Sequence, residues 1–231
     1  MKFLATLVLP YLAGAAAING RADATGPCSC KGATPGTDAD AAATYLCADA
    51  RLGPKQLPTK LPLGRLVSGY NRLGRDDVTV EQFLANWTGP DGKYKYPPQN
   101  GFTLDDNGNA INGTMQLEVG TLIDRFGSER GQYVTAASAP YSQRSLPPSS
   151  LKTDPRNPDF PNGYHLYKVI RPFTVVGGPI APWFGQPGLG AQFWTGKVGT
   201  ILQLITDGYI ERQDPSILLK QSSACTVGTG A

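Results

Sequence analysis

Leu122-Ile123-Asp124-Arg125-Phe126-Gly127-Ser128-Glu129-Arg130-Gly131-Gln132-Tyr133-Val134-Thr135-Ala136 sets two runs of β-branched and aromatic residues on either side of a turn. Short runs of this kind, bounded by Gly and Ser, read as strands. Working outward, comparable runs recur: Leu117 to Phe126, Gln132 to Ala136, Tyr164 to Val176, Ala191 to Trp194 and Thr200 to Ile205. Their spacing predicts a mostly antiparallel sheet with few helices, an α+β fold. Gly and Pro together supply 48 of 231 residues, so fixed surface loops are expected between the strands. No internal repeat and no low-complexity block interrupts them.

Upstream the pattern changes. Ala41 to Ala50 reads as a short helix, and a Pro- and Gly-punctuated stretch runs from Leu52 to Gly64. Val78 to Trp87 is a better helix: Thr79 can cap it, and Val80, Phe83, Leu84 and Trp87 recur on one face. The turn cluster Gly89-Pro90-Asp91-Gly92 then marks a boundary. The predicted organisation is a leader over 1–17, a disulfide-tied, partly helical region over 18–92, a β-rich domain over 93–205 and a tail over 206–231.

The leader reading rests on Met1-Lys2-Phe3-Leu4, the apolar stretch after it and Ala15-Ala16-Ala17, the layout of a secretory signal peptide. Ala22-Asp23-Ala24 offers a second small-residue cleavage site. Pro10 and the short apolar length argue against a spanning helix, and no later segment is long and apolar enough to cross a bilayer. Secretion places Cys28, Cys30, Cys47 and Cys225 in an oxidising compartment, where two disulfides are expected. A Cys28–Cys30 bridge would strain the usual geometry. Two pairings remain, and both fasten Cys225 to the N-terminal segment, closing a loop worth roughly 4 to 5 kcal/mol in the chain-entropy model. Asn86-Trp87-Thr88 and Asn112-Gly113-Thr114 are acceptor sequons for N-glycans. The formal charge of +3 argues against a nucleic-acid partner, which calls for a strong basic excess.

Familiar catalytic templates are missing. His165 is the only histidine, there is no nucleophile elbow or zinc-protease motif, and no Gly-rich phosphate loop leads into a helix. Three segments suit an anionic, ring-bearing ligand instead. Asp124 to Glu129 sets Arg125 beside Phe126, Gly127 and Ser128, with Tyr133 eight positions after the arginine. Gln143 to Pro148 places Arg144 before a rigid diproline. Ile180 to Phe193 combines Trp183 and Phe184 with Pro, Gly and two glutamines. Arginine grips a diphosphate bidentately, glycine lets backbone approach closely, and rings offer stacking surface. Asp207, Glu211 and Asp214 are candidate oxygen ligands for calcium, although their spacing does not match the twelve-residue loop.

These blocks carry a resemblance. Tyr96-Pro97-Pro98-Gln99-Asn100-Gly101-Phe102, Asp124 to Glu129, Gln143 to Pro148, Tyr164-His165-Leu166-Tyr167 and Ala181 to Gly188 with Gln192, in this order and spacing, resemble the tuberculosis necrotizing toxin domain over about residues 93–205. The secreted architecture as a whole is similar to fungal surface NADases that carry this domain. The resemblance implies an NAD glycohydrolase that cleaves the nicotinamide–ribose bond of NAD or NADP and needs no cofactor. It implies catalytic roles for Arg125, Arg144 and Gln192, a substrate contact at Tyr133, and a family histidine near His165. Leu189 departs from the glycine common in relatives, which predicts a stiffer loop before Gln192.

The chemistry suits so sparse a set of acids and bases. Nicotinamide leaves from a cationic pyridinium and departs neutral, so no general acid has to protonate it. Arg125 and Arg144 are expected to clamp phosphates, Phe126 or Tyr133 to pack against nicotinamide, and Trp183 or Phe184 to line the pocket. Gln192 is expected to act as a neutral dipole toward ribose or water. The rival readings are an ADP-ribosyltransferase using the same pocket and a non-enzymatic secreted binding protein. Whether a homodimer forms is left open.

Overall fold

The computed structural model describes residues 29–37 and 39–219. Seven strands form one antiparallel sheet: β1 (Gly113–Leu117), β2 (Leu122–Phe126), β3 (Tyr133–Ala136), β4 (Tyr164–Val169), β5 (Phe173–Pro179), β6 (Ala191–Trp194) and β7 (Ile210–Gln213). Their spatial order is β1-β5-β6-β3-β2-β4-β7. The β2–β3 hairpin quoted above therefore sits near the middle. In its register Asp124 faces Thr135, Thr135 faces Gln192, and Gln192 faces Gly178. Residues far apart in the chain thus share one row on one face of the sheet.

Alternation along the strands buries both faces. Ile123, Val134, Tyr167, Val169, Val175 and Phe193 point to one side, where they pack on Ile201 and Leu204. Phe126, Tyr164 and Leu166 point to the other, against Leu66, Val67, Tyr70, Tyr141 and Leu151. A third cluster joins the N-terminal region to the sheet: Leu52, Val80, Phe83 and Leu84 enclose Phe184, with Trp87, Tyr94 and Trp183 packed around it.

Of the helices, α1 (Ala39–Thr44), α2 (Leu63–Val67) and α3 (Val80–Trp87) precede the sheet. Thr79 caps α3 as expected: its Oγ1 accepts from the Gln82 N–H at 3.2 Å while Gln82 Oε1 accepts from the Thr79 N–H at 2.9 Å. The helix expected over Ala41 to Ala50 stops at Thr44 and gives way to two 3₁₀ turns, because Cys47 and Ala48 adopt left-handed backbone. Cys47 is bridged to Cys30 with a Cα–Cα separation of 5.4 Å. The expected partners Cys28 and Cys225, and the leader, lie outside the described residues.

Three expected strands need correction. Leu117 to Phe126 is divided by a turn in which the Thr121 N–H bonds Glu118 O, so it serves β1 and β2. Tyr164 to Val176 is cut at Pro172, and its halves, β4 and β5, are not neighbours in the sheet. Thr200 to Ile205 is not a strand but the start of helix α4 (Ile201–Thr206), capped by Thr200. Ile201, Leu204 and Ile205 recur at helical spacing and outweigh the β-branched composition. Among the described residues no helix is long and apolar enough to cross a membrane.

Candidate active site

A cleft of about 1220 Å³ opens beside the turn of the β2–β3 hairpin. Arg125, Phe126, Gly127, Ser128, Tyr133, Arg144, His165 and Gln192 all line it. The two arginines and the glutamine expected to act together are therefore brought to one place.

Their engagements differ. Arg125 folds back into its own turn: Nε donates to Ser128 O at 2.7 Å and Nη1 to Tyr133 O at 2.6 Å. A Cβ on Gly131 would collide with Nη2, so that position must be glycine for the guanidinium to fit. Burial pulls the Arg125 pKa down, opposed by Tyr167, Tyr96 and Glu129. Two of its five N–H groups are engaged, and the others remain for a ligand.

Arg144 is held more completely. Nη1 and Nη2 form a fork on the Asp124 carboxylate at 2.5 and 2.7 Å, Nε and Nη2 donate to Ala139 O, and Nη1 also donates to Thr135 Oγ1. All five N–H groups end on protein acceptors. The pair is buried, with Arg144 3% and Asp124 0% exposed, and Asp124 also accepts from the hydroxyls of Thr135 and Tyr164. Where a phosphate grip was expected, the guanidinium at the cleft wall is held by protein acceptors. The guanidinium carbon lies 5.1 Å from the centre of the Phe126 ring. Phe126 itself is buried against Tyr141 and Tyr164.

Gln192 and Tyr133 meet through a residue given no role in the sequence reading. Gln192 Nε2 donates to Asn100 O at 2.9 Å, and the Tyr133 hydroxyl donates to Asn100 Oδ1 at 3.0 Å. Asn100 has φ 59°, a left-handed conformation that Asn tolerates best among side-chain-bearing residues. An Asn-Gly pair after a diproline was the available signal.

His165 is buried on β4 beside Arg125 in the register. Its ring stacks on Phe160 at 4.1 Å, and Nδ1 lies 3.4 Å from Glu129 Oε1 without the alignment of a hydrogen bond. Glu129 accepts from the Tyr167 hydroxyl at 2.9 Å and from Arg212 at 2.8 and 2.5 Å. Burial would raise the Glu129 carboxyl, but the interactions with His165, Arg212 and Tyr167 prevail and lower it to about 2. Arg212 escaped notice because it follows the expected domain end, inside the stretch considered for calcium.

Residues 116–213 match the family model described as tuberculosis necrotizing toxin. The chain is 47% identical over 176 residues to the conidial surface nicotinamide adenine dinucleotide glycohydrolase nadA of Aspergillus fumigatus, covering 75% of this chain and 73% of that relative. The chain belongs to the tuberculosis necrotizing toxin family. A solved structure of tuberculosis necrotizing toxin with its immunity factor IFT aligns at 23% identity and a TM-score of 0.48, over 64% of this chain and 80% of the other. The toxin-family match begins within β1 and ends with β7, so it spans the sheet and leaves α1, α2, α3 and the Asn100 block outside.

Two expectations for this toxin-family member are corrected by the structure. Trp183 and Phe184 do not line the cleft. Phe184 is 1% exposed among Trp87, Tyr94 and Tyr96, and Trp183 Nε1 donates to Lys95 O at 2.7 Å. They fasten the N-terminal region to the sheet. Nor do Asp207, Glu211 and Asp214 assemble a calcium site: they fall at the α4 C-terminus, within β7 and just past it, and no group of three or more metal-ligating side chains occurs among the described residues.

Proposed function

We propose that this chain is a secreted or surface-held glycohydrolase that converts NAD or NADP to nicotinamide and ADP-ribose or its phosphate. The reading is carried by the meeting of Arg125, Gln192 and the Asn100–Tyr133 pair in a single cleft on a chain so similar to a named NAD glycohydrolase. The C1′–N bond breaks with its electron pair passing to the pyridinium nitrogen, so nicotinamide departs neutral. Water adds to C1′ and releases its proton to solvent. Arg125 holds the diphosphate with its unengaged N–H groups, and Gln192 presents an amide dipole to the ribose or the water. Arg144 acts by holding Asp124, Thr135 and Phe126 in place.

Asn86 and Asn112 are exposed, as N-glycosylation requires, and glycans there agree with export through the leader. The chemistry needs no metal, and it does not depend on whether the chain pairs as a homodimer. Incubating the purified protein with NAD and measuring free nicotinamide, with and without an acceptor protein, tests the reading. Stoichiometric nicotinamide and ADP-ribose are expected. Label transferred to the acceptor identifies a transferase, and intact NAD identifies a binding protein.

A further inference from the structure

The cleft shares part of its lining with a smaller recess. Arg125, Phe126, Tyr133, Arg144 and Gln192 bound both, and the part they line is termed the inner end. Tyr45, Ser149, Lys152 and Arg156 line only the larger space. Ligand pockets run to roughly 300–1,000 Å³, and this cleft exceeds what a nicotinamide mononucleotide fills. An extended dinucleotide with its reacting bond at Gln192 must place its other base toward the outer end.

Tyr45 lies outside the toxin-type match, two residues before the bridged Cys47. Its segment is fixed from two sides. The Cys30–Cys47 bridge holds the loop, and Tyr45 pairs with Pro54 in an isolated antiparallel bridge. Next to Pro54, Gly53 has φ 70°, and a Cβ there would collide with Pro148 O. This close approach packs the segment paired with Tyr45 on the 3₁₀ turn Pro148–Leu151, which leads to Lys152, and Tyr45 and Lys152 both line the cleft. The Tyr45 side chain is half-buried and lines the cleft. Lys152 is exposed and forms no ion pair among the described residues. An aromatic face and a lysine in one cleft suit a purine ring and a phosphate-bearing ribose.

We infer that Tyr45 is the stacking platform for the adenine of the substrate, so the disulfide-tied N-terminal region forms part of the substrate site. This rests on the proposed NAD chemistry for its orientation but makes its own demand: 5′-AMP alone must bind. In Tyr45→Ala, KM for NAD and the dissociation constant of 5′-AMP, measured by calorimetry, should each rise about tenfold or more, the scale of losing one base–aromatic stack. Inhibition by nicotinamide should stay at the wild-type level, which reports an intact inner end. Tyr45→Phe, which keeps the ring, should bind 5′-AMP as the wild type does.

Unchanged 5′-AMP affinity in Tyr45→Ala overturns the assignment, as does equal loss of nicotinamide and 5′-AMP binding or failure of Tyr45→Phe to restore it. Because 5′-AMP binding is measured without turnover, the outcomes separate. A wild type that binds 5′-AMP through Tyr45 but releases no nicotinamide refutes the glycohydrolase reading and keeps the subsite. A wild type that hydrolyses NAD and ignores Tyr45→Ala does the reverse.

Discussion

Arg144→Ala separates a structural strut from a substrate clamp. In the folded protein the guanidinium meets Asp124, Thr135 and Ala139, and removing it leaves the fully buried Asp124 carboxylate with only Thr135, Tyr164 and the Ser138 N–H. Breaking a buried pair by deleting one partner costs about 3–5 kcal/mol, most of it the stranded charge. For a domain of this size each kcal/mol moves the melting temperature by about 2–4 °C, so a fall of roughly 6–20 °C is expected. Thermal unfolding followed by circular dichroism at neutral pH reads the shift, and initial rates at 25 °C show whether the surviving folded fraction keeps its KM. A double replacement, Asp124→Leu with Arg144→Met, should recover much of the lost stability, because apolar substitution of a buried pair is often close to neutral. A melting temperature within about 3 °C of wild type in Arg144→Ala, with a raised KM, would refute the strut and return the residue to the phosphates.

Gln192→Ala should lose about a hundredfold or more in kcat, the scale for one placed transition-state dipole, with an unaltered melting temperature; near-normal turnover removes it from the chemistry. Phe184→Ala should destabilise by about 3–5 kcal/mol while leaving KM unchanged, and a raised KM at wild-type stability would restore the ring to the cleft. The folded Glu129 carboxyl sits below its ordinary value of 4.5, at about 2, so the ionised form is favoured in the native state. Its stabilisation is complete above pH 4.5 and disappears as pH falls through about 2. The gap in urea midpoint between wild type and Glu129→Gln should accordingly shrink over that window, and a gap independent of pH would sink this account.

The central hairpin was legible because its two runs and their turn are local signals, and the strand pattern alone implied an antiparallel sheet. What joins Arg125 to Gln192 is the β3–β6 pairing, a long-range register that no local pattern encodes. That Arg125 and Gln192 border one cleft became apparent only through five blocks read together. Helix α4 was misread because Ile201 and Ile205 favour strands by type while their spacing with Leu204 favours a helix. Trp183 and Phe184 show a second limit: an aromatic pair in a Gly-Pro loop suits a binding wall or a core equally, and only the partners Trp87 and Tyr94 decide. Arg144 shows a third, since composition does not reveal that a carboxylate twenty positions earlier engages its fork. Asn100 was in view within its block, but its part depends on a backbone carbonyl and a left-handed turn.

Arg125 is threaded through its own hairpin turn, with Gly131 yielding the room. A free arginine surrenders up to about 2 kcal/mol of rotational freedom when it is immobilised, and here that loss is incurred when the chain folds. On the proposed reading, an arriving dinucleotide would find a cation already aimed, and little of its attraction would be consumed in arranging the host. Readiness of this kind ties performance to the hairpin itself: whatever loosens the turn slackens the hand that receives the substrate.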